Sequence, residues 1–172
     1  MLPETFGFMG DETERKKYKS FLGKGVFEDL KKISQKENVI IVAGSLDEYT
    51  DKNSPLPYNT CVTFNKGEII SIYRKLHLFN LLDINEKPLY CESNIFLKGD
   101  RPETYDIVID HEKWASVNII CYDIRFPEII RTLKKAPDII FVPAAFTWQT
   151  GKAHWEILLR ARAIENQCFI VA

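Results

Sequence analysis

Two continuous apolar runs constrain the fold of this chain more than any other feature of its sequence. Residues 39–45 read Val-Ile-Ile-Val-Ala-Gly-Ser, and residues 138–143 read Asp-Ile-Ile-Phe-Val-Pro. A strand with one face in water alternates apolar and polar residues, whereas an unbroken apolar run indicates a strand covered on both faces. The sequence therefore predicts β-sheet that is enclosed by other layers.

Helices predicted from apolar periodicity can supply those layers. The spacing predicts one helix from residue 21 to a stop near residue 38, a second that opens at Pro127, and a third over residues 154–166. The inner face of the first helix consists of Val26, Phe27, Leu30 and Ile33. In the third helix Arg162 lies in the middle of an apolar face. It therefore needs a carboxylate partner from this chain or from a second subunit.

Turn-forming residues divide the rest of the chain. Hairpins are predicted at residues 60–73, around Lys-Gly, and at residues 105–121. Residues 11–19 are highly charged and indicate a solvated loop or short helix. Residues 74–98 show no regular pattern, and a loop of that length inside a compact domain usually has a function. Strands that alternate with helices and hairpins indicate an α/β sandwich-like fold in a single domain, residues 1–172.

Composition excludes several classes of function. With 172 residues and a net charge of −1, the chain lacks the positive charge of a nucleic-acid or anionic-membrane binder. Its four cysteines and three histidines are scattered, so neither a disulfide framework nor a metal site is expected. No cofactor is expected either. The start has no signal-peptide pattern, so we expect a cytoplasmic protein.

A cysteine at the end of an apolar run is the best candidate for chemistry. Residues 117–121 run into Cys121, and Phe-Pro-Glu at residues 126–128 then opens a helix. A side chain at such a strand-to-helix turn can stand exposed beside a backbone N–H group, as a nucleophile requires. The alternative is an inert buried thiol, which is the commoner state of a free cysteine.

Several other polar residues have both a functional and an ordinary interpretation. Glu4, Lys75 and Glu92 can be solvated surface charges. Arg125 can form a structural ion pair with Glu128 instead of contacting substrate. The remaining candidates can be satisfied by local hydrogen bonds or can pack in the core: His77, His154, Phe146, Thr147 and Trp148. A Cys–His pair would compete with any mechanism that uses a carboxylate base.

Five segments in a fixed order resemble the nitrilase (carbon–nitrogen hydrolase) superfamily, over nearly the whole chain. They are Leu-Pro-Glu at 2–4, Tyr-Arg-Lys-Leu-His-Leu at 73–78, Cys-Glu-Ser-Asn at 91–94, Ile-Cys-Tyr-Asp-Ile-Arg-Phe-Pro-Glu at 120–128, and residues 151–168. The last segment is most similar to the Nit-protein branch, which acts on deaminated glutathione and on ω-amides of 2-oxo acids. The resemblance implies a four-layer α-β-β-α sandwich that forms homodimers or larger homo-oligomers.

The resemblance also implies roles for the ordered residues. Cys121 would attack the carbonyl carbon of a small-molecule amide and form a thioester, because a neutral amide needs a strong nucleophile. Glu4 would carry the protons, and Lys75 with the backbone N–H of Tyr122 would stabilise the oxyanion. Glu92 would position Lys75 and keep it charged. Arg125, Phe146, Thr147 and His154 are candidates for substrate binding.

Two departures from the family pattern affect these expectations. Family members have a strand and helix before Leu-Pro-Glu and continue well beyond residue 172, so the chain is expected to be truncated at both ends. A mitochondrial form would need an additional N-terminal segment. Residues 79–86 also lack the usual Pro-Gly, and Trp-Ala-Ser at 114–116 replaces a common glycine.

The sequence leaves two main hypotheses. The first is a cofactor-free thiol amidase that releases ammonia. The second is an inactive remnant or interaction module in which the motifs persist without a complete pocket. A thiol-redox role ranks third, because no second cysteine lies near Cys121 in the sequence.

Overall fold

Two helices, a run of strands and then two helix–strand units follow one another in the computed structural model, which describes residues 1–8, 10–15, 17 and 19–172. The helices in this part of the chain are α1 Glu12–Arg15, α2 Val26–Lys36, α3 Glu128–Arg131 and α4 Trp148–Asn166. The strands are β1 Ile40–Glu48, β2 Tyr58–Asn65, β3 Glu68–Arg74, β4 Asn80–Leu82, β5 Pro88–Cys91, β6 Tyr105–Ile109, β7 Glu112–Asn118, β8 Ile139–Phe141 and β9 Phe169–Val171. Single turns of 3₁₀ helix occupy Glu92–Asn94 and Cys121–Arg125.

The first sheet is antiparallel and has the order β1-β2-β3. Lys66 and Gly67 connect β2 to β3 with φ angles of 52° and 87°. Positive φ at both central residues is what a type I′ turn requires, and that turn matches the twist of a hairpin. The predicted hairpin at residues 60–73 is therefore confirmed, with one additional residue at the end of β3 and two at the start of β2.

Helix α2 covers the outer face of this sheet. Phe27 and Leu30 are buried in a cluster with apolar side chains of β1 and β2. Val26 and Ile33, predicted to face inward, are exposed. The buried face instead includes Ser34, whose hydroxyl donates to the Val39 carbonyl at 2.7 Å. The Val39 N–H donates to the Ser34 carbonyl at 3.1 Å, which satisfies one of the carbonyls left unpaired in the last turn of the helix.

The second sheet has the order β6-β7-β8-β9, with β6 antiparallel to β7 and the last three strands parallel. Helix α4 packs on it through Trp155, Leu158 and Leu159. The inner faces of the two sheets meet in one core, in which Val42 and Tyr73 of the first sheet join Val117 and Ile140 of the second. The order of layers is thus helix, sheet, sheet, helix, as predicted for the fold class.

Arg162 of α4 has the partner that its position demanded. Its Nε donates to the Ile124 carbonyl at 2.9 Å, and Nη1 lies 2.8 Å from Glu165 Oε1. The carboxylate comes from the same helix, so no second subunit is needed to satisfy this guanidinium. Glu156 and Arg160 form an exposed i,i+4 pair at 2.7 Å on the same helix.

Some segments differ from the sequence predictions. Residues 74–98, predicted to be irregular, contain the short hairpin β4–β5 and the 3₁₀ turn Glu92–Asn94. Helix α4 begins at Trp148 rather than at residue 154. Within the charged segment 11–19, Arg15 is not solvated but pairs with the buried Asp47 at 2.6 Å. Positions 16 and 18 of that segment lie outside the described residues.

None of the helices in the described residues is long and apolar enough to cross a membrane.

Candidate active site

Glu4 is held inside the protein by an irregularity in β1. The register of β1 against β2 shifts between residues 43 and 46, and there the Ser45 N–H donates to the Pro3 carbonyl at 3.2 Å. A side chain at Gly44 would overlap the backbone carbonyls of residues 2 and 3. Glycine therefore allows the Leu-Pro-Glu segment to lie directly against β1. The Glu4 side chain consequently points into the interior.

Lys75 lies between two carboxylates. It follows the last residue of β3, and its Nζ lies 2.8 Å from Glu4 Oε1 and 2.9 Å from each carboxylate oxygen of Glu92. Glu4, Lys75 and Glu92 are only 6%, 2% and 3% exposed. The ordinary interpretation of these three residues as solvated surface charges is therefore wrong.

Glu92 is positioned by the root of the β4–β5 hairpin. Its backbone N–H donates to the Phe79 carbonyl at 2.9 Å, and the Phe79 N–H donates to Glu92 Oε2 at 2.6 Å. The hairpin leaves the core just after Lys75 and returns at Glu92. The long excursion of residues 74–98 thus brings together an ammonium and a carboxylate that are 17 residues apart.

Asn59 of β2 belongs to the same cluster, and sequence reasoning missed it. Its Nδ2 donates to Glu4 Oε1 at 3.0 Å and to Glu92 Oε1 at 3.1 Å, while its carbonyl accepts the Lys75 N–H at 2.9 Å. An asparagine next to a strand-opening tyrosine looks like an ordinary turn residue. Only the pairing of β2 with β3 and the return of residue 92 show what it contacts.

Cys121 lies at the predicted turn. Strand β7 ends at Asn118, and the chain then follows β8 until the Cys121 N–H donates to the Pro143 carbonyl at 2.9 Å. Cys121 has φ +47°, a left-handed conformation that costs a non-glycine residue about 1–2 kcal/mol. The 3₁₀ turn begins at this residue. The prediction of a sharp turn at Cys121 is confirmed, but the side chain is buried and does not stand exposed at the turn as expected.

Asp123 is a second residue that the sequence did not single out. It is fully buried, and its Oδ2 accepts from the Tyr73 hydroxyl at 2.7 Å and from the Ile120 N–H at 2.9 Å. Its Oδ1 accepts from the His77 N–H at 2.9 Å and lies 2.9 Å from His77 Nδ1. One carboxylate therefore joins the turn that carries Cys121 to the segment that carries Lys75. The signal that could have identified Asp123 is an acidic residue close to Cys121 in the sequence.

The charge state of Lys75 follows from two opposing effects. Burial disfavours the ammonium, but the charges of Glu4 and Glu92 outweigh burial and raise the pKa of Lys75 above its ordinary value. Lys75 is consequently a permanent cation at neutral pH. It can stabilise negative charge, but it cannot act as the proton acceptor.

The surroundings of Cys121 favour the protonated form of its thiol. Burial and then the Glu4 charge raise the pKa of Cys121 above its ordinary value, and the opposing effect of Lys75 is too small to reverse this. A hydrogen bond involving Glu4 acts in the same direction, whereas the Ala145 N–H favours the thiolate. The Ala145 N–H also donates to Glu4 Oε2 at 2.9 Å. After burial, Glu4 is therefore the group that most opposes ionisation of the Cys121 thiol.

The other predicted site residues lie on two neighbouring segments. The Arg125 guanidinium is 5.9 Å from the Tyr122 ring centroid and 5.6 Å from that of Phe146. Its Nη2 lies 3.2 Å from His154 Nδ1. Among the described residues it has no carboxylate at ion-pair distance, so the structure contradicts the predicted pair with Glu128. Arginine beside aromatic rings and without an acidic partner can receive an anion.

Thr147, Trp148 and His77 are placed differently. Thr147 precedes α4, and its hydroxyl lies 2.6 Å from that of Thr150. Trp148 is largely exposed, not a core residue. The ring of His77 stacks on Phe126 at 3.8 Å and contacts Asp123, so a Cys–His pair is not what the structure builds.

A cavity of about 640 Å³ lies elsewhere, between β3 and the segment that leads into β6. Its lining includes Ser71, Arg101, Thr104 and Tyr105. None of its lining residues belongs to the cluster around Cys121. Because the chemistry resides in the buried charges, we place the candidate active site at the Cys121 cluster rather than at this cavity.

Comparison of the whole chain with known proteins shows the family to which it belongs. The profile of the carbon–nitrogen hydrolase family matches residues 1–172, and the chain therefore belongs to that family. The predicted resemblance to the nitrilase superfamily is confirmed.

Individual relatives place the chain near the Nit proteins. It is 36% identical over 174 residues to a deaminated glutathione amidase of Synechocystis, which covers 99% of this chain and 62% of the relative. The human deaminated glutathione amidase is 35% identical and matches 99% of this chain and 53% of its own length. The chain thus spans about three-fifths or less of these relatives.

Solved structures agree with the fold. The NitFhit protein of C. elegans superposes with a TM-score of 0.83 at 34% identity, covering 99% of this chain and 41% of that one. Nit3 of Saccharomyces cerevisiae, a member of branch 10 of the nitrilase superfamily, gives a TM-score of 0.78 at 31% identity, covering 98% and 59%.

Proposed function

We propose that the protein is a thiol amidase that hydrolyses the carbon–nitrogen bond of a small linear amide. The observation that carries this proposal is the buried contact of Lys75 with Glu4 and Glu92 beside the thiol of Cys121. Buried charges are costly to desolvate, so a cluster of three with one cation is weak evidence for stability and better evidence for chemistry.

The first half-reaction forms a thioester. Cys121 Sγ attacks the amide carbon while its proton passes to Glu4, and the carbonyl oxygen becomes an oxyanion. Lys75 and the Tyr122 N–H would stabilise that oxyanion; losing one such donor typically lowers turnover by about 10²–10³. When the oxyanion collapses, Glu4 returns the proton to the departing nitrogen, and ammonia leaves.

The second half-reaction regenerates the enzyme. Glu4 takes a proton from water, the hydroxide attacks the thioester carbon, and a second oxyanion forms at the same position. Collapse releases the carboxylic acid, and the thiolate of Cys121 recovers the proton from Glu4. The net reaction consumes one amide and one water and yields one acid and one ammonia.

The electrostatics support a neutral thiol in the resting enzyme. Because the pKa of Cys121 is raised, the sulfur does not wait as a thiolate. Proton transfer to Glu4 must therefore accompany the attack. Because Lys75 holds its own proton at neutral pH, Glu4 is the acceptor that remains beside the sulfur.

The substrate class is proposed from Arg125. Its guanidinium lies against two aromatic rings near the nucleophile and has no acidic partner in the described part of the chain. A carboxylate on the substrate would supply that partner. Phe146, Thr147 and His154 would line the same end of the site. The relatives named deaminated glutathione amidase make deaminated glutathione and ω-amides such as 2-oxoglutaramate the first compounds to test.

Ammonia release tests this proposal. Purified protein is expected to release ammonia from deaminated glutathione or 2-oxoglutaramate, and Cys121→Ala is expected to release none above background, because no other group can form the thioester. Cys121→Ala should remain folded by circular dichroism. Undiminished turnover in that variant would refute the mechanism, and an inactive native protein would refute the function.

A second candidate is an inactive member that serves as an interaction module. Several apolar side chains on α4 and β9 are exposed, including Ile157, Ile164 and Phe169. Exposed apolar surface favours association, so we propose that the protein forms a homodimer or a larger homo-oligomer. Sedimentation velocity on the same purified protein tests the assembly, and a monomer would contradict it. Alkylation of Cys121 does not separate the two candidates, because a neutral thiol reacts slowly in both.

A further inference from the structure

We infer that Asn59 is a positioning residue that fixes the orientation of the Glu4 carboxylate for proton transfer; this deepens the proposed function and rests on it. Asn59 is 1% exposed and donates from one nitrogen to both buried carboxylates, at 3.0 Å to Glu4 and 3.1 Å to Glu92. Its backbone carbonyl holds the Lys75 N–H. The residue thus contacts all three members of the charged cluster.

The chemistry of the cluster dictates which way this amide faces. With the nitrogen towards the carboxylates, Asn59 donates two hydrogen bonds to negative charges. The reverse orientation would place a partly negative oxygen against two anions. In the observed orientation Oδ1 is buried and has no hydrogen-bond partner among the described residues. An unpaired buried acceptor destabilises the fold, so the contribution of Asn59 lies in its N–H groups.

The cluster also holds more negative than positive charge. Two carboxylates share the single ammonium of Lys75, and neutral donors supply the rest of their hydrogen bonds. For Glu4 these donors are Asn59 Nδ2 and the Ala145 N–H. A neutral donor stabilises a carboxylate without adding a second cation that would oppose its role as a base.

The two oxygens of Glu4 consequently have different tasks. Oε1 accepts from both Lys75 and Asn59, whereas among the described residues Oε2 accepts only from the Ala145 N–H. With Oε1 occupied from two directions, Oε2 is the oxygen with a lone pair left to take the proton of Cys121. Without Asn59, the carboxylate can rotate about its bond to Lys75. Proton transfer then loses its alignment, while the substrate-facing groups stay in place.

The test replaces Asn59 and separates kcat from KM. Asn59→Leu keeps the approximate size and removes both donors; kcat is expected to fall about 10²-fold, with KM changed by less than about threefold. Asn59→Thr keeps one hydroxyl donor in a residue suited to a strand, and kcat is expected to fall about tenfold. Asn59→Thr also serves as the informative variant where Asn59→Leu does not fold.

Asn118→Leu is the matched control. Asn118 is also 1% exposed, and it hydrogen-bonds to Tyr105 at 2.7 Å and to Thr63 at 2.9 Å, away from the charged cluster. It is expected to lower the melting temperature while kcat per native molecule stays within about twofold.

Each outcome bears on one claim. An Asn59→Thr or Asn59→Leu protein with wild-type kcat would overturn the positioning role, and so would a KM increase that accounts for the whole loss. An equal kcat loss in Asn118→Leu would also overturn it, because any buried asparagine would then serve. The wild-type protein is assayed first, and its failure to release ammonia refutes the proposed function rather than this inference.

Discussion

Two consecutive residues, the last residue of β3 and the one that follows it, belong to two different ion clusters. Arg74 points to one side and binds Glu48 through two hydrogen bonds, of 2.8 Å and 2.7 Å, with the Thr60 hydroxyl as a third donor at 2.7 Å. Lys75 points to the other side and binds Glu4 and Glu92. Alternation of side chains along an extended chain separates the two clusters by a single residue.

The two clusters differ in charge balance and in exposure. The Glu48–Arg74 pair is neutral, and about a third of the Arg74 side chain is in solvent. The Lys75 cluster has one cation for two anions and is almost completely buried. The first arrangement satisfies a buried carboxylate at the surface end of a sheet. The second keeps an excess carboxylate desolvated, which is the arrangement that the proposed reaction needs for its base.

The largest expected effect comes from removing the cation of each cluster in turn. Lys75→Met leaves two buried carboxylates without a counter-ion and is expected to destabilise the protein by about 3–5 kcal/mol, with loss of activity. Arg74→Met is expected to cost less, about 2 kcal/mol, because the Thr60 hydroxyl still donates to the buried Glu48 carboxylate, and to retain activity. Urea denaturation monitored by circular dichroism, together with ammonia release, measures both.

The comparison between the clusters fails if the two substitutions behave alike. Equal losses of stability would mean that the Lys75 cluster is no more desolvated than the Arg74 pair. If the Lys75→Met protein were active, the ammonium would not be needed to stabilise the oxyanion, and its proposed role would be wrong.

Alkaline pH gives an intermediate effect at the thiol beside the Lys75 cluster. The folded-state pKa of Cys121 is raised above its ordinary value of 9.0, so the native protein keeps a proton that the unfolded chain loses. This contribution to stability is complete below about pH 9 and is lost as the pH rises towards the folded-state pKa, at about 1.4 kcal/mol per pH unit. In Cys121→Ala, the free energy of unfolding should therefore decline less steeply between about pH 9 and pH 11, by about 1.4 kcal/mol per pH unit.

Thermal denaturation of both proteins across this range provides the measurement. Cys61 is buried with a raised pKa in both, so its contribution cancels in the difference. Identical slopes for the wild type and Cys121→Ala would show that folding does not raise the pKa of Cys121, and would contradict the desolvated thiol.

The smallest expected effect comes from an exposed ion pair that lies outside both clusters. Glu156 and Arg160 lie 2.7 Å apart on α4, but their side chains are 76% and 74% exposed. Solvent screening limits such a pair, and Arg160→Ala is expected to change the free energy of unfolding by less than about 0.5 kcal/mol without changing ammonia release. A loss above about 1 kcal/mol would indicate that this face of α4 is covered in solution.

Local sequence patterns predicted most of the fold. The unbroken apolar runs gave β1 and β8, the Lys-Gly turn gave the first hairpin, and helical spacing gave α2 and α4. The hairpin β4–β5 was missed because its exposed apolar residues, such as Leu81 and Leu89, show no simple alternation. Val26 and Ile33 were misassigned to the buried face because their spacing in the sequence does not show where the helix meets the sheet.

For the site, the sequence supplied the chemical candidates in order: Glu4, Lys75, Glu92 and Cys121. It also determined the sharp turn at Cys121, because an apolar strand followed by Phe-Pro-Glu leaves few alternatives. These features depend on short stretches of chain, whose conformation follows from their own residues.

Only the tertiary structure decided what those residues do to one another. Glu4 meets Lys75 across 71 residues and Ala145 across 141, and such contacts depend on how two sheets pack rather than on any local pattern. The charges of Glu4 and Glu92 hold the proton on Lys75 against the effect of burial, whereas burial itself holds the proton on Cys121. The bridging role of Asn59 likewise exists only where three separate segments converge, because hydrogen bonds of this kind need distance and direction that a sequence does not contain.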